Sequence, residues 1–403
     1  MSSACEEPIA AISQPFPSHT MNPLPTSRRE FLRASALAGG ALLGARLAAQ
    51  NAPAPAIPSL TTNLVLRSSS SDDDKLPGAQ RVSVEKLRQW EAMKFGMFIH
   101  FGMSTFVEAE LPSGSDPSTT YAPDRLDVDQ WIGIARDAGM KYAVLTTKHV
   151  AGHCLWPSKL TDYHVGTSGN KTDVVEAFLK ACERRGVKPG FYYCAWDNHN
   201  RFGSLSPNVA PIPLSRTPLP TNRSSAFVTR RYLDFHWAQV NELMENYGPI
   251  AEWWFDIPHL LPRYYRDRLS AHIAARQPDA LILFNHGIGD GSEIVPDRVW
   301  PTDLMTIERF LPNAATAYVK WRNLEGRNYY IPGEVCEPIG NDWFHTEKDR
   351  PRSDAELLGM YLTSVSRGAN LLLDVGPDRH GLIPDRFRLS LERLRRNLDM
   401  LGM

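Results

Sequence analysis

Asp256 is the residue whose sequence setting most strongly suggests chemistry. It ends the aromatic run Glu252–Asp256, which reads EWWFD. A carboxylate beside three aromatic side chains is costly to bury unless it is hydrogen-bonded or chemically useful. A carboxylate in such a place can act as the nucleophile that cleaves a glycosidic bond. Its alternative role is to cap the helix predicted from Arg263, although Pro258 stands between them.

Glycosidic cleavage needs a second carboxyl group, which protonates the leaving oxygen. Glu334 ends the run Tyr329–Glu334 and is the predicted acid/base, with Glu337 in the following loop as the reserve. Aromatic neighbours would raise the pKa of Glu334 by desolvation, as an acid working near neutral pH requires. Glu308 and Asp303, on an earlier segment, are alternatives.

The segments that carry these residues are short apolar runs, which alternate with amphipathic helical patterns after residue 90. The runs are continuous rather than alternating, as parallel strands buried on both faces are. Among the helices, Asp129–Ala138 follows a candidate cap, Asp127, and Thr172–Arg185 ends at Gly186. The eight predicted strands are Lys94–Phe101, Tyr142–Thr147, Lys188–Cys194, Ala251–Phe255, Leu281–Asn285, Arg298–Thr302, Tyr329–Glu334 and Asn370–Val375.

This alternation predicts an α/β fold, a TIM-like (β/α)8 barrel that forms a single catalytic domain over residues 81–403. A doubly wound open sheet competes with it, but no Gly-rich phosphate loop follows the first predicted strand. The last predicted helix, Asp385–Leu401, reaches the end of the sequence, so no C-terminal β-sandwich is expected. Chemistry in a barrel lies where strands end. Those ends carry His100, His149, Tyr192, Trp196, Asp197, Asp256, Asn285, Asp303, Glu334 and Asp374.

The first 80 residues are predicted to lie outside this domain. The segment Ser27–Arg33, SRREFLR, precedes a run rich in Ala, Leu and Gly, which together are typical of a twin-arginine export signal over residues 1–49. Met21 would start that signal more economically than Met1; a disordered basic tail is the alternative. Residues 50–80 are rich in Pro, Ser and Asp and are predicted to be a disordered linker. We therefore expect a periplasmic or secreted protein.

Composition narrows the classes of partner. The net charge of −1 gives no reason to expect nucleic acid or an anionic membrane, and the apolar run of the leader is too short to span a bilayer. The chain has 10 Trp residues. Their aromatic faces suit the apolar faces of sugar rings, although burial in the core is the ordinary alternative for Trp.

No cofactor and no metal ion are expected. His149 and His153 are four residues apart, but Gly152 lies between them in a loop, so helical zinc geometry is not implied. Four cysteines follow the leader and none has CxxC spacing, so buried free thiols are expected although export permits disulfides. They are Cys154, Cys182, Cys194 and Cys336.

Six of these segments, in order from residue 90 to 384, resemble the α-L-fucosidases of glycoside hydrolase family 29. Lys94–Gly102 (KFGMFIHFG) is similar to the family's KFGIFIHWG, and Tyr142–Trp156 (YAVLTTKHVAGHCLW) to its TAKHHDGFCLW motif. Glu252–Asp256 resembles ExWFD, whose aspartate is the family nucleophile. The remaining similar segments are Gly190–Asp197, Glu334–Cys336 with Trp343–His345, and Gly368–Pro377.

The resemblance implies retaining hydrolysis of terminal α-L-fucose by double displacement, on a fucosylated oligosaccharide or glycoconjugate. Asp256 would be the nucleophile, Glu334 would carry the acid/base role, and their carboxyl groups would lie about 5–5.5 Å apart. The pattern leans towards the branch of the family that acts on α-1,3/1,4 linkages. The implied substrate-binding residues are His100, Glu110, His149, Tyr192, Trp196, Asp197, Trp254 and Trp343.

The sequence departs from the family pattern around the second strand. His149-Val150 stands where the family has paired histidines, and His153 replaces an aromatic residue; Leu111 also replaces the aromatic residue after Glu110. Losing a buried hydrogen-bond donor to the sugar costs about 1–3 kcal/mol. One alternative is therefore the same fold and mechanism on a related sugar such as α-L-galactose. Another, from a different class, is a catalytically silent sugar-binding barrel.

Overall fold

A computed structural model of the chain describes residues 78, 80–200, 228–313, 315 and 317–403. The predicted export signal over residues 1–49 lies outside these residues, as does the predicted linker apart from residues 78 and 80. The sequence also predicts a helix over Phe227–Tyr247, and the first residue of that helix lies outside the described residues. The architecture below concerns the described part.

Most strands are short, apolar and buried along their whole length, as the sequence predicts. Eight of them form one parallel sheet in the order β5-β4-β3-β2-β1-β10-β9-β6. These eight are β1 (Phe95–Ile99), β2 (Tyr142–Lys148), β3 (Lys188–Cys194), β4 (Glu252–Asp256), β5 (Leu281–Phe284), β6 (Met305–Glu308), β9 (Gly333–Pro338) and β10 (Ala369–Asp374). A separate antiparallel hairpin consists of β7 (Trp321–Leu324) and β8 (Arg327–Tyr330).

No backbone ladder joins the edge strands β5 and β6; one backbone hydrogen bond, from the N–H of Asp303 to the carbonyl of Ile282, and several side-chain bonds link β5 to the residues just before β6. The N–H of Ile282 donates to the Asp303 carboxylate at 2.7 Å, and the N–H of Phe284 donates to Thr302 Oγ1 at 3.1 Å. These bonds bring the edges together and leave a nearly closed barrel. The predicted (β/α)8-type fold is confirmed. Apart from the hairpin, the described residues contain no second sheet that could form a β-sandwich.

Helices cover the outside of the barrel and follow local sequence signals. The Asp127 side chain accepts from the N–H of Gln130 at 3.0 Å and caps the third helix, as predicted. Gly186, with φ 68°, ends the fourth helix in the left-handed conformation. The helices are α1 (Val84–Glu91), α2 (Met103–Val107), α3 (Val128–Asp137), α4 (Val174–Arg185), α5 (Arg230–Asn246), α6 (Arg263–Arg276), α7 (Pro296–Val299), α8 (Asp354–Ser366) and α9 (Asp385–Met400).

The sixth strand was predicted at residues 298–302, and this position is wrong. Residues 296–299 form the short helix α7, and the strand begins at Met305. Pro301 has no N–H to give to a sheet, which disfavours a strand across it. Asp303 therefore precedes its strand at the amino end of the barrel, instead of following it at the carboxyl end.

The seventh strand was predicted at residues 329–334 and begins four residues later, at Gly333. The tyrosines of that segment belong to the β7–β8 hairpin, whose turn residues Glu325 and Gly326 have φ of 52° and 80°. Pro332 separates the hairpin from β9. As a result, Glu334 is the second residue of its strand and lies towards the amino end of the barrel.

Two apolar clusters fill the molecule, one inside the barrel and one between the barrel and its helices. Along β1, Phe98 belongs to the inner cluster, while Met97 and Ile99 belong to the outer one. This alternation follows from the two-residue period of a strand. The four cysteines predicted to be free thiols are buried and unpaired. None of the described helices is long and apolar enough to cross a membrane.

Candidate active site

A cavity of about 630 Å³ lies among the carboxyl ends of the strands. Sites for small molecules typically occupy about 300–1,000 Å³, so the cavity has the size of a ligand pocket. It collects residues from the ends of all six strands from β1 to β6. The residues predicted to form the site that line it are His100, Glu110, His149, Tyr192, Trp196, Trp254, Asp256 and Trp343.

Asp256, the last residue of β4, is held by three donors. Tyr192 Oη donates to Oδ2 at 2.6 Å, while Asn285 Nδ2 and the N–H of Ile257 each donate to Oδ1 at 2.8 Å. Ile257 has φ 51°, an unfavourable conformation for a β-branched residue. The alternative role of Asp256 as a helix cap is wrong, because Pro262 is the N-cap of α6. The three donors instead orient the carboxyl group of Asp256 towards the pocket.

Glu308 ends β6 and also lines the pocket, next to Asp256. Its Oε2 accepts from Asn285 Nδ2 at 2.9 Å, so the same amide group bridges Glu308 and Asp256. Burial, and next the negative charge of Asp256, raise the pKa of Glu308 to about 7. A carboxyl group with that pKa carries a proton for much of the time near neutral pH. The pair therefore combines a carboxyl group held by three hydrogen-bond donors with one that can carry a proton near neutral pH.

Glu334 does not line the pocket, contrary to the placement predicted from sequence. It is fully buried and accepts from Tyr142 Oη at 2.6 Å and from Trp254 Nε1 at 3.1 Å. Trp254 itself lines the pocket, so Glu334 supports that indole from behind. Burial raises the pKa of Glu334 to about 7 as well. A raised pKa therefore does not by itself identify the acid.

Glu337, the predicted reserve, is also absent from the pocket lining. Its carboxylate pairs with Arg352 Nη2 at 3.0 Å, next to helix α8. Glu110, by contrast, lines the pocket beside Leu111, and burial raises its pKa. Of the acidic residues predicted from sequence, the structure thus brings Asp256, Glu110 and the alternative Glu308 together.

Two uncharged histidines form one wall. Burial lowers the pKa of both His100 and His149 to about 3. His100 Nδ1 lies 2.8 Å from Asp374 Oδ1, which directs Nε2 of the neutral ring away from that carboxyl group. His149 Nδ1 is buried and has no hydrogen-bond partner among the described residues. The His149 ring stacks on Tyr192 with a centroid distance of 5.6 Å. This wall can bind hydroxyl groups without adding charge.

Val150 and His153, the two residues near His149 that differ from the family pattern, lie in different surroundings. Val150 lines the pocket and is fully buried. His153 does not line it; Nε2 of its ring bonds Ser168 Oγ at 2.8 Å, and the ring packs against Tyr121 and Tyr163. His153 therefore does not replace the imidazole that Val150 lacks.

Asp197 was predicted to bind substrate, and this prediction is wrong in its placement. The preceding residue, Trp196, faces the pocket, so Asp197 faces away from it. Its carboxylate pairs with Lys148 Nζ at 2.8 Å, and both side chains are fully buried. Although burial opposes both charges, their attraction holds the pKa of Lys148 above and that of Asp197 below the ordinary values. The ion pair fixes the loops that follow β2 and β3.

Lys148→Met should lower the free energy of unfolding by roughly 3–5 kcal/mol, because it leaves the Asp197 carboxylate buried without its partner. Urea denaturation followed by Trp fluorescence measures the change. Lys180→Met is the matched control: Lys180 is exposed and pairs with Glu176 on the surface of α4. We expect less than about 1 kcal/mol there. Equal effects of the two substitutions would contradict a structural role for the buried pair.

Sequence reasoning missed several residues on the side of the pocket that follows β5. His286, Ile288 and Arg298 all line it. The sequence analysis assigned Arg298 to the predicted sixth strand, so it did not identify Arg298 as a residue of the pocket. The glycines at positions 287, 289 and 291 were the available signal, since such a cluster marks a loop. Among the described residues, no group of three or more His, Cys, Asp or Glu is arranged to hold a metal ion.

The family model for alpha-L-fucosidase matches residues 115–402. The chain is 29% identical over 333 residues to alpha-L-fucosidase 1 of Arabidopsis thaliana, covering 79% of this chain but only 59% of the plant protein's length. It is 28% identical to alpha-L-fucosidase isoenzyme 1 of Paenibacillus thiaminolyticus, with a TM-score of 0.63 over 79% of this chain and 76% of that one. Alpha-L-fucosidase AlfC of Lactobacillus casei, in complex with alpha-L-fucose, shares the fold at 22% identity, with a TM-score of 0.60 over 79% of this chain and 99% of that one.

Proposed function

This chain belongs to the alpha-L-fucosidase family, glycoside hydrolase family 29, and we propose that it is a retaining exo-α-L-fucosidase. Asp256 is the nucleophile in this proposal, and Glu308 takes the acid/base role that the sequence assigned to Glu334. The Asn285 amide carries the proposal. It bonds both carboxylates at 2.8 and 2.9 Å, so the two bonded oxygens are no further apart than those two distances together. That limit suits retaining enzymes, at about 5–5.5 Å, better than inverting ones, at about 6.5–9.5 Å.

In the first step, an oxygen of Asp256 attacks the anomeric carbon of the sugar. The bond from that carbon to the leaving oxygen breaks, and Glu308 gives its proton to the leaving oxygen. The Glu308 carboxylate then takes a proton from water, whose oxygen attacks the same carbon and releases the sugar and Asp256. Two inversions give net retention. The hydrogen bonds from Tyr192 and Asn285 orient the nucleophile.

The remaining walls suit a 6-deoxy sugar ring. Trp254 and Trp343 offer aromatic faces for its C–H groups, and Val150 adds an apolar surface. His100 and His149 supply ring nitrogens for hydroxyl groups. We propose a fucosylated oligosaccharide or glycoconjugate as the substrate, cleaved at a terminal fucose. The twin-arginine pattern before residue 50 supports a further proposal, export to the periplasm or beyond.

A panel of aryl glycosides tests this function on the full chain and on a chain that starts near residue 50. We expect 4-nitrophenyl α-L-fucoside to be the best substrate, with kcat/KM about 100-fold above that of the α-L-galactoside. An apolar pocket rejects an added hydroxyl group by about that factor. A higher kcat/KM for the galactoside would show that the related sugar, α-L-galactose, is the preferred substrate. Binding of fucose without hydrolysis of any glycoside would favour the silent sugar-binding barrel.

A further inference from the structure

One wall of the pocket has no part in the steps above. It consists of the loop after β5 and the short helix α7, and its residues His286, Ile288 and Arg298 face the cavity. Burial, and next the positive charge of the neighbouring Arg298, lower the pKa of His286. We call this wall the β5–α7 rim. The rim begins directly after Asn285, whose amide bonds both Asp256 and Glu308, so a group leaving from a sugar bound at these carboxyl groups can extend along it.

The β5–α7 rim is held by a buried arginine. Arg266, which is 1% exposed, donates to the carbonyl oxygens of Leu261, Asp297 and Trp300 at 2.5, 2.6 and 3.0 Å. On the loop side, the N–H of Val295 donates to His286 Nε2 at 3.2 Å. A four-residue helix has little stability of its own. These bonds fix its backbone and thereby fix the direction in which its side chains leave it.

The two charged side chains of α7 have different surroundings. Asp297 lies 3.9 Å from Arg263, on α6. Arg298 is exposed towards the pocket, and within the described ranges no carboxylate lies at ion-pair distance from it. A guanidinium group matches carboxylates and sulfate esters through two parallel hydrogen bonds. Arg298 is therefore positioned to bind an anionic group.

Apolar surfaces accompany this charge. Ile288, on the rim, is 70% exposed, and Leu111, after β1, is 49% exposed, yet both line the pocket. The cavity of about 630 Å³ belongs to the range of about 300–1,000 Å³ that accepts drug-sized ligands, which are larger than a monosaccharide. Space thus remains for a second ring, with apolar side chains for its faces.

We propose that the β5–α7 rim is a leaving-group subsite for an acceptor that carries a carboxylate or a sulfate ester. Arg298 binds the anion, and Ile288 and Leu111 contact the ring that bears it. This inference rests on the proposed fucosidase activity and concerns only what is attached to the fucose. It does not involve the bond-breaking groups.

The test uses the full chain and three aryl α-L-fucosides whose rings bear a carboxylate, the methyl ester of that carboxylate, or a sulfate ester. The wild type should show a higher kcat/KM for the charged substrates than for the ester. Arg298→Gln should lower that ratio about fivefold, the size of a partly exposed charge-assisted contact, and Arg298→Lys should lower it less. Added salt should reduce the wild-type ratio.

Arg268→Gln is the matched control, because Arg268 is exposed and stacks on Trp237 on the outside of the barrel; its ratio should equal that of the wild type. The response to carboxylate and to sulfate, taken separately, identifies the anion. An identical ratio in wild type and Arg298→Gln would overturn the subsite while leaving the fucosidase proposal intact. If the wild type cleaves none of the three fucosides, the proposed function fails, and the subsite fails with it.

Discussion

Asp256→Asn is expected to lower kcat on 4-nitrophenyl α-L-fucoside by about 10⁴-fold or more, as removal of a nucleophile does in other hydrolases. An amide cannot form the sugar ester on which the two-step mechanism depends. Asn has the size of Asp, and with its oxygen in place of Oδ1 it still accepts from the N–H of Ile257 and the amide of Asn285. Its NH2 group, in place of Oδ2, can donate to the hydroxyl oxygen of Tyr192. The fold should therefore persist, which circular dichroism and thermal unfolding will check.

Asp137→Asn provides the control, since Asp137 is an exposed residue at the end of α3; its kcat should match the wild type. A second variant, Asp256→Gly, makes room for an external anion. Azide should restore part of its activity and yield the fucosyl azide of inverted configuration, because azide attacks from the side that the aspartate occupied. Normal turnover by a correctly folded Asp256→Asn variant would show that another residue is the nucleophile.

The sequence predicts the position of Asp256 well because its strand is locally unambiguous. Glu252–Asp256 is short, apolar and followed by Pro258, so its end is defined within one residue. The neighbouring strands β1, β2, β3 and β5 are continuous apolar runs with similarly clear limits. Where an apolar run determines the strand end, the side chain at that end falls in the pocket, as His100 and His149 do.

The second carboxyl group of the pocket is harder to predict because its position depends on two strands with weak local signals. β6 has only four residues, and the segment 298–302 just before it, which includes Pro301, resembles a strand in sequence. β9 follows a hairpin whose tyrosines resemble strand residues. Errors of a few residues in these two positions moved Glu334 and Asp303 to the wrong end of the barrel and left Glu308 as a mere alternative. The sequence also does not show which way neighbouring side chains point. Trp196 lines the pocket, whereas the next residue, Asp197, pairs with the buried Lys148.

Glu308→Gln should lower kcat/KM by about 10²–10⁴-fold on fucosides with poor leaving groups, the usual contribution of a general acid. Fucosides with an activated leaving group, such as 2,4-dinitrophenol, need less protonation and should lose less. Because the pKa of Glu308 is raised to about 7, the protonated acid exists below that pH. Wild-type kcat/KM should therefore fall as the pH rises through about 7, and Glu308→Gln should lose this descending limb.

Glu334→Gln is the discriminating comparison, since burial raises the pKa of Glu334 to about 7 too. Its carboxylate accepts from both Tyr142 and Trp254, and a Gln side chain can accept from only one of them. We expect a loss of about 1–3 kcal/mol in the free energy of unfolding, with kcat/KM reduced less than tenfold and the descending limb retained. A descending limb that survives in Glu308→Gln and disappears in Glu334→Gln would return the acid/base role to Glu334. The two carboxyl groups share a raised pKa, and only one of them can reach the leaving oxygen from the pocket.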